Sequence, residues 1–356
     1  MTSLSKYIYK GLVAIVAILV IIVAVGPFGD TEHTPVLDTA GTLPAAVATE
    51  SQRISPPAST TRESESTQEI PMDETSQSWC GLVRAAVSPD QIKRIITQKI
   101  AEVQPPMFSN LTDIKGHMVA IKALLVGKEG ECMKAIRSTL LGVGGPTASG
   151  YKAFFDLGSR TGDQLRGFQL RFREASKFQQ FPFEANPAFN AHYLSQGSNV
   201  HYNNFAVGVQ NGTLLLTDRS VGSSIVDGSK GGKGTLVRVI DFAEYVGATL
   251  SPRISGGSMV VIKMDIEKME YPVLHRMLIT GTLLYADDLL LECHHTSNRP
   301  PQSRAYHEIG KEECVELVEL MGTALSTIER PFTSVLWNNK KTAKGYTRQH
   351  GGFFPT

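Results

Sequence analysis

Residues 11–28 (GLVAIVAILVIIVAVGPF) run for 18 positions without a charge. As a helix with ~1.5 Å rise per residue, the run is roughly 27 Å long, just enough to cross a hydrocarbon core. Lys6 and Lys10 precede it with no acid, whereas residues 29–78 carry nine acids against Arg53 and Arg62. Basic flanks stay on the cytosolic side, so a cytosolic tail at 1–10, a transmembrane signal-anchor at 11–28 and a domain across the membrane are expected. A cleaved signal peptide is the competing reading. Val25-Gly26-Pro27 is a poor small-x-small cleavage site, which favours the anchor.

Composition then divides the chain again. Residues 29–78 contain 16 Ser and Thr and almost no aromatic side chain. Such a segment buries too little apolar surface to offset the entropy of ordering it, and reads as a flexible stem. From Trp79 onward the composition is globular. Over the whole chain 35 Lys and Arg stand against 34 Asp and Glu. That balance argues against a nucleic-acid binder, whose footprint is strongly basic.

Residues 79–150 read as a helical preface. Ser88-Pro89-Asp90-Gln91 is a helix start, with Ser as cap, Pro in the first turn and Gln three after the cap. Ile92, Ile95, Ile96, Ile100 and Val103 follow at helical spacing, and Gln104-Pro105-Pro106 ends the run. A second helical stretch over 118–141 is interrupted at Gly127 and Gly130. From residue 151 strands and helices alternate. Strands are expected at 151–157, 178–183, 199–209, 260–264 and 288–292, with a hairpin partner at 213–217. Helices are expected at 161–177, with Leu165, Phe168, Leu170 and Phe172 as apolar positions, around 273–278, and at 312–328. Alternation of this kind gives an α/β fold, a mostly parallel sheet with helices on both faces. Residues 151–356 are taken as that domain.

Three motifs stand at strand ends, where open α/β sheets bind ligands. Asp156-Leu157-Gly158-Ser159-Arg160-Thr161-Gly162 follows the first strand; Gly158 and Gly162 let backbone approach a ligand, and Asp156 offers an acceptor to an amine. The same glycines also suit an ordinary strand-to-helix turn. Glu184, in Phe183-Glu184-Ala185-Asn186-Pro187, lies 22 residues after Gly162. That is close to the ~20-residue gap that places a carboxylate on ribose hydroxyls. The alternative is a solvated Glu capping the helix that begins near Pro187. The third motif is a hydrophobic strand ending in Asp265, Glu267 and Glu270, any of which can orient or deprotonate a hydroxyl. Acids in a helix's first turn also favour its dipole, an equal alternative for Glu267 and Glu270.

In order and spacing, D-L-G-S-R-T-G, F-E-A-N-P, N-F-A-V-G-V-Q-N-G-T (204–213) and I-K-M-D-I-E-K-M-E-Y-P-V-L (262–274) resemble the FkbM-type methyltransferases. D-L-L-L-E-C-H-H (288–295) resembles that family's fifth strand. The likeness spans roughly 151–295. It implies a Rossmann-like class I fold, S-adenosyl-L-methionine as cofactor and O-methyl transfer. It also implies that Asp156, Gly158 and Gly162 line the methionine part of the cofactor, that Glu184 holds the ribose, and that Phe205, Ala206 and Val207 lie near the adenine. Asp265 would face the transferred methyl, with Glu270 as a second catalytic carboxylate. The sequence departs from the family at two places. Lys268-Met269 replaces the small pair of D-x-E-G-A-E, and Ser159-Arg160 stands where Ala-Asn is common. A Lys in place of Gly either narrows the pocket, recruits an anionic substrate or signals lost activity.

His294 and His295 invite a metal reading. Adjacent side chains at a strand end point to opposite sides, so the pair is not expected to share one ion, and no metal is assigned. Asp287-Asp288 precedes a strand instead of following one, which counts against the acidic pair of a metal-dependent glycosyltransferase. Cys80, Cys132, Cys293 and Cys314 allow three pairings, permitted if the domain is lumenal. Asn110-Leu111-Thr112 and Asn211-Gly212-Thr213 match the N-glycosylation pattern. The basic, aromatic tail 330–356 is read as a solvated end. The expectation is a membrane-anchored enzyme of the Golgi or endoplasmic reticulum with a small-molecule or glycan acceptor. A glycosyltransferase and a non-catalytic methyltransferase-like binding module are the rivals.

Overall fold

Ser88 opens a helix as its sequence requires. In a computed structural model of the chain, its hydroxyl accepts from the Gln91 amide at 3.3 Å and Pro89 occupies the first turn. The structure describes residues 78–86, 88–105, 113–142, 144–147, 149–172, 174–216, 225–226, 234–294 and 311–336. The apolar run 11–28, the stem up to Gln77, Asn110, Thr217, His295 and residues beyond 336 lie outside them, whereas Ser78, expected as the end of the stem, caps the first helix. Among the described residues no helix is long and apolar enough to cross a membrane.

The helical layer has four members: α1 (Trp79–Ala85), α2 (Pro89–Glu102), α3 (Ile114–Leu125) and α4 (Gly127–Leu141). The expected stretch 118–141 is two helices because the chain breaks at Val126, and Gly130 packs where a Cβ would stand 2.2 Å from the Leu125 carbonyl oxygen. Short α1 carries no long periodic pattern that would mark it in the sequence. Its Ser78 cap accepts from Gly81, and the Cys80–Cys132 disulfide ties it to α4.

Next come β1 (Lys152–Leu157), α5 (Asp163–Arg171), β2 (Gln179–Phe183), β3 (Ala206–Gly208), β4 (Gly212–Leu216), β5 (Ile225–Val226), β6 (Thr235–Asp241) and α6 (Phe242–Leu250). They are followed by β7 (Met259–Met264), α7 (Glu270–Thr280), β8 (Asp288–Leu291), α8 (Lys311–Leu325) and β9 (Thr333–Leu336). Five strands make one sheet in the order β2-β1-β7-β8-β9, every pair parallel. Parallel bridges at Val200 and Asn203 extend it beyond β2. The other strands form a smaller sheet, β3-β6-β4-β5.

Side-chain alternation explains why β1 and β7 read as unbroken apolar runs. Phe155, Leu157, Val260, Ile262 and Met264 join the core that includes Trp79, Ile96, Met277 and Leu317. Phe154, Met259 and Val261 enter a second core with Leu165, Phe168 and Phe172 on the opposite face. A parallel sheet buried on both faces by helices is the α/β, Rossmann-like arrangement expected.

Four local expectations need correction. Leu170, two positions from Phe168, projects opposite the buried face of α5 and is 81% exposed. The expected strand 199–209 is divided: Val200 and Asn203 bridge to β2, while β3 joins the smaller sheet. The expected hairpin partner pairs with β5 and β6, both absent from the sequence reading. The tail is not wholly solvated. Arg330 is 1% exposed and β9 adds the fifth parallel strand.

A buried charge cluster explains that last point. Asp287, just before β8, receives Arg330 Nε at 2.7 Å, Arg330 Nη2 at 3.0 Å and Arg137 Nη2 at 3.2 Å. Arg137 on α4 also donates to the carbonyls of Ala286, Leu325 and Arg330. Burial lowers its pKa to about 10. The cluster joins the helical layer, the start of β8 and the turn before β9, and it accounts for Asp287 without a metal role.

Candidate functional site

From β1 the chain moves outward to β2 and the bridged segment, then returns to β7, β8 and β9. The strand order therefore reverses between β1 and β7, and ligand crevices in open α/β sheets lie at the carboxyl ends of strands flanking such a reversal. Gly158 leaves β1 there, Glu184 leaves β2, Asp265 leaves β7, and Glu292 to His294 leave β8.

The β1 exit loop folds over β2. The Gly158 and Ser159 amides both donate to the Phe183 carbonyl oxygen, at 3.1 and 2.9 Å. Gly158 has φ +75°, and a Cβ there would stand 1.8 Å from the Asp265 carbonyl oxygen. Its missing side chain thus lets the β1 and β7 exits pack together. Gly162 caps α5 in the left-handed region without a side-chain hydrogen bond, facing the Tyr193 ring. The Tyr193 hydroxyl is 2.7 Å from Ser159 Oγ and 2.9 Å from the Arg160 carbonyl oxygen, which fixes the loop.

Asp156 lies beneath this loop with no exposure. Its Oδ2 accepts from Ser159 Oγ at 2.8 Å, and Oδ1 is 3.2 Å from Lys263 Nζ. Glu184 is half-buried and joins the two loops: Oε2 accepts from the Arg160 amide and Oε1 from the Asn186 amide, each at 2.7 Å. Burial lifts its pKa, against the pull of those two bonds. Each carboxylate oxygen has a second lone-pair direction left. Ala206 and Val207 are 8% and 5% exposed in the packed interior of β3, so their side chains line no open crevice.

Across the reversal, Lys263 is 1% exposed and bridges Asp156 and Asp265, whose nearest oxygens stand at 3.2 and 3.3 Å. Burial alone would lower its pKa; the two carboxylates outweigh that and raise it. Asp265 is a quarter exposed. Glu270 has no exposure at all. Its Oε1 accepts from the Ile266 amide at 2.9 Å and faces His294 Nδ1 at 2.7 Å, while Oε2 has no hydrogen-bond partner among the described residues. The expected second catalytic carboxylate is therefore sealed below the crevice and holds the turn and the imidazole.

His294 Nε2 stands 3.4 Å from Asp265 Oδ1 and 3.7 Å from Glu267 Oε2. Burial would lower the imidazole pKa; the hydrogen bond and charge of Glu270, with Glu267 and Asp265, raise it to about 9. Glu292 is pushed up to about 7 by burial first and then by the negative charge of Asp265. A group poised near neutrality beside a partly open carboxylate can take or return a proton.

Glu184 and the β1 loop are thus brought together, as are Asp156, Lys263 and Asp265. Ala206, Val207 and Glu270 stay in the interior. Sequence reasoning missed Lys263 and Glu292. Lys263 had a signal, a lone cation within a buried apolar strand, which demands an acidic partner. Lys268 is exposed, with φ +84° beside Glu267 at φ +54°. It keeps a backbone conformation suited to glycine and does not fill the crevice, which removes the first of the three readings of that departure.

No family model matches the chain, and no curated protein matches it. Among solved structures the chain is similar to the crystal structure of methyltransferase FkbM from Methylobacillus flagellatus KT. The TM-score is 0.22 at 14% identity, over 46% of this chain and 45% of that one. The chain therefore spans less than half the length of the protein it matches, and a likeness of this size assigns neither family nor activity.

Proposed function

We propose that the chain is an S-adenosyl-L-methionine-dependent O-methyltransferase. The observation that carries the proposal is Glu184, a carboxylate at the β2 exit whose two oxygens clamp the β1 loop and retain acceptor capacity beside the strand-order reversal. That is where a ribose diol is held in this class of sheet. The ribose half of the cofactor fits these residues. The methionine half does not fit Asp156, which is sealed and committed to Lys263 and Ser159; the uncapped N-terminus of α5 at Gly162 suits its carboxylate instead.

When bound, the cofactor supplies an already activated methyl group. The protein must then position an acceptor hydroxyl in line and accept its proton. Asp265 and Glu292 serve that second task, with Glu292 titrating near neutrality and Lys263 pinning Asp265. Glu270 positions His294 without touching substrate.

The acceptor we assign is a hydroxyl of a glycan or other small molecule in the secretory pathway, met by a lumenal domain on a single-pass anchor. The apolar run and its basic flank support that topology, and so do the Cys80–Cys132 and Cys293–Cys314 disulfides, which persist in oxidising compartments. The test is calorimetric titration of the full-length chain with S-adenosyl-L-methionine, with its demethylated product and with a nucleotide sugar. Saturable binding of the first two supports the proposal. Binding of the nucleotide sugar alone replaces it with a glycosyltransferase, and binding of none leaves a non-catalytic module.

A further inference from the structure

Glu270 has no exposure, and its one ion pair among the described residues is with His294, whose Nδ1 stands 2.7 Å from Oε1. A carboxylate enclosed in this way needs a cation against it. The other ring nitrogen also meets acids: His294 Nε2 lies 3.4 Å from Asp265 Oδ1 and 3.7 Å from Glu267 Oε2. An ionised carboxylate only accepts hydrogen bonds, so an imidazole set between carboxylates carries a proton on each nitrogen. The ring is a cation on that geometry. Its pKa agrees, since burial lowers it but Glu270, Glu267 and Asp265 together raise it to about 9.

Asp265 is held from two strands. Lys263 on β7 reaches Oδ2 at 3.3 Å, and His294 at the β8 exit reaches Oδ1. Glu292, two positions before His294, is hydrogen-bonded to Asp265. Burial and the charge of Asp265 raise the Glu292 pKa, and the charges of His294 and Lys263 draw it down. Lys268, exposed in the turn between β7 and α7, is the remaining cation there and acts on Glu267. The β8 exit itself is fixed. The Glu292 amide donates to the Met264 carbonyl oxygen at 2.9 Å, and a disulfide ties Cys293 to Cys314 on α8.

We infer that His294 is a positioning residue for the transfer: turned by buried Glu270, its ring fixes Asp265 from the β8 side, as Lys263 does from the β7 side, and sets a positive charge beside Glu292. The inference rests on the methyl-transfer proposal and gives a role to a residue that the proposal leaves idle. Without the ring Asp265 is held by Lys263 alone. Glu292 then keeps its proton to higher pH, and a protonated carboxyl cannot take another from an acceptor hydroxyl.

The test needs neither cofactor nor acceptor, so its failure is distinct from failure of the methyl-transfer proposal. Full-length protein carrying isotope-labelled histidine is titrated by nuclear magnetic resonance of the ring nitrogens, with His294 assigned by its loss in His294→Gln. The ring should hold both protons at neutral pH and titrate at about 9. In Asp265→Asn that midpoint should fall by about one pH unit, the scale of one opposite charge a few ångströms away. Carboxyl resonances of labelled glutamate then follow Glu292, assigned by its loss in Glu292→Gln. Its midpoint, about 7 in the wild type, should rise by roughly half a pH unit or more in His294→Gln. A ring that only filled space would not move it. Both substitutions nearly keep side-chain size, and circular dichroism checks their folding. A wild-type His294 ring that titrates near the ordinary 6.5 overturns the inference whatever the variants do. So does a His294 midpoint unmoved in folded Asp265→Asn, or a Glu292 midpoint unmoved in folded His294→Gln.

Discussion

At the scale of single residues, charge buried with its partner separates structural from functional positions. Asp287 satisfies two arginines that are 0% and 1% exposed, and its Oδ2 also accepts from the Val260 amide. Asp287→Ala strands both guanidinium groups and should cost about 3–5 kcal/mol, the loss expected when one member of a buried ion pair is removed. Denaturant unfolding of the variant measures it. Lys268 behaves in the opposite sense. An L-residue in the left-handed region is strained by roughly 1–2 kcal/mol, and the greater freedom of unfolded glycine returns about half of that. Lys268→Gly should therefore stabilise the protein by about 0.5–1 kcal/mol and leave cofactor affinity unchanged, since this exposed side chain fills no crevice. A thermal scan and a binding titration of the one variant check both parts.

Between elements, α3 and α7 meet at a histidine pair, with His117 Nδ1 3.0 Å from His275 Nδ1. Burial, aided by the His117 charge, lowers the His275 pKa to about 4. A depressed folded pKa contributes stability that is present above the unfolded value near 6.5 and is lost as pH falls toward 4. Discounted for the partly open ring, the loss at pH 5 is roughly 1–2 kcal/mol. The thermal midpoint should fall more between pH 7.5 and pH 5 in the wild type than in His275→Gln; equal falls would remove His275 as the cause. Legibility also varied by element. The Ser88 cap and the apolar runs of β1, β7 and β8 were plain, because capping and double-sided burial leave strong local patterns. β6 had a pattern that was overlooked: Val237, Val239 and Asp241 are buried while Leu236 and Arg238 are exposed, a period of two. β9 had none, since four residues in a basic tail take their place from pairing with β8 and from the Arg330–Asp287 contact.

For the whole molecule, the sheet order puts the exits of β1, β2, β7 and β8 along one edge, so residues more than a hundred positions apart form one site. The sequence marked Glu184 by its strand end and its spacing from Gly162, and Asp265 by its strand end, with the family resemblance pointing to both. It could not tell that Glu270 points inward while Asp265 stays open, because that depends on how α7 packs against the β8 exit. Nor did it show which acids Lys263 meets, or that Glu292 joins them across the sheet. The central claim is that Glu184 holds the ribose while Asp265 serves the transfer, and paired variants of the full-length chain test it most directly. Titration with S-adenosyl-L-methionine should show Glu184→Ala weakened ~10-fold or more, the loss of charge-assisted hydrogen bonds worth about 1.5–3 kcal/mol. Asp265→Asn should bind nearly as the wild type while turnover falls on the order of 10²-fold. Equal and mild effects of the two changes on binding and turnover, or a wild type that does not bind S-adenosyl-L-methionine, would contradict the account.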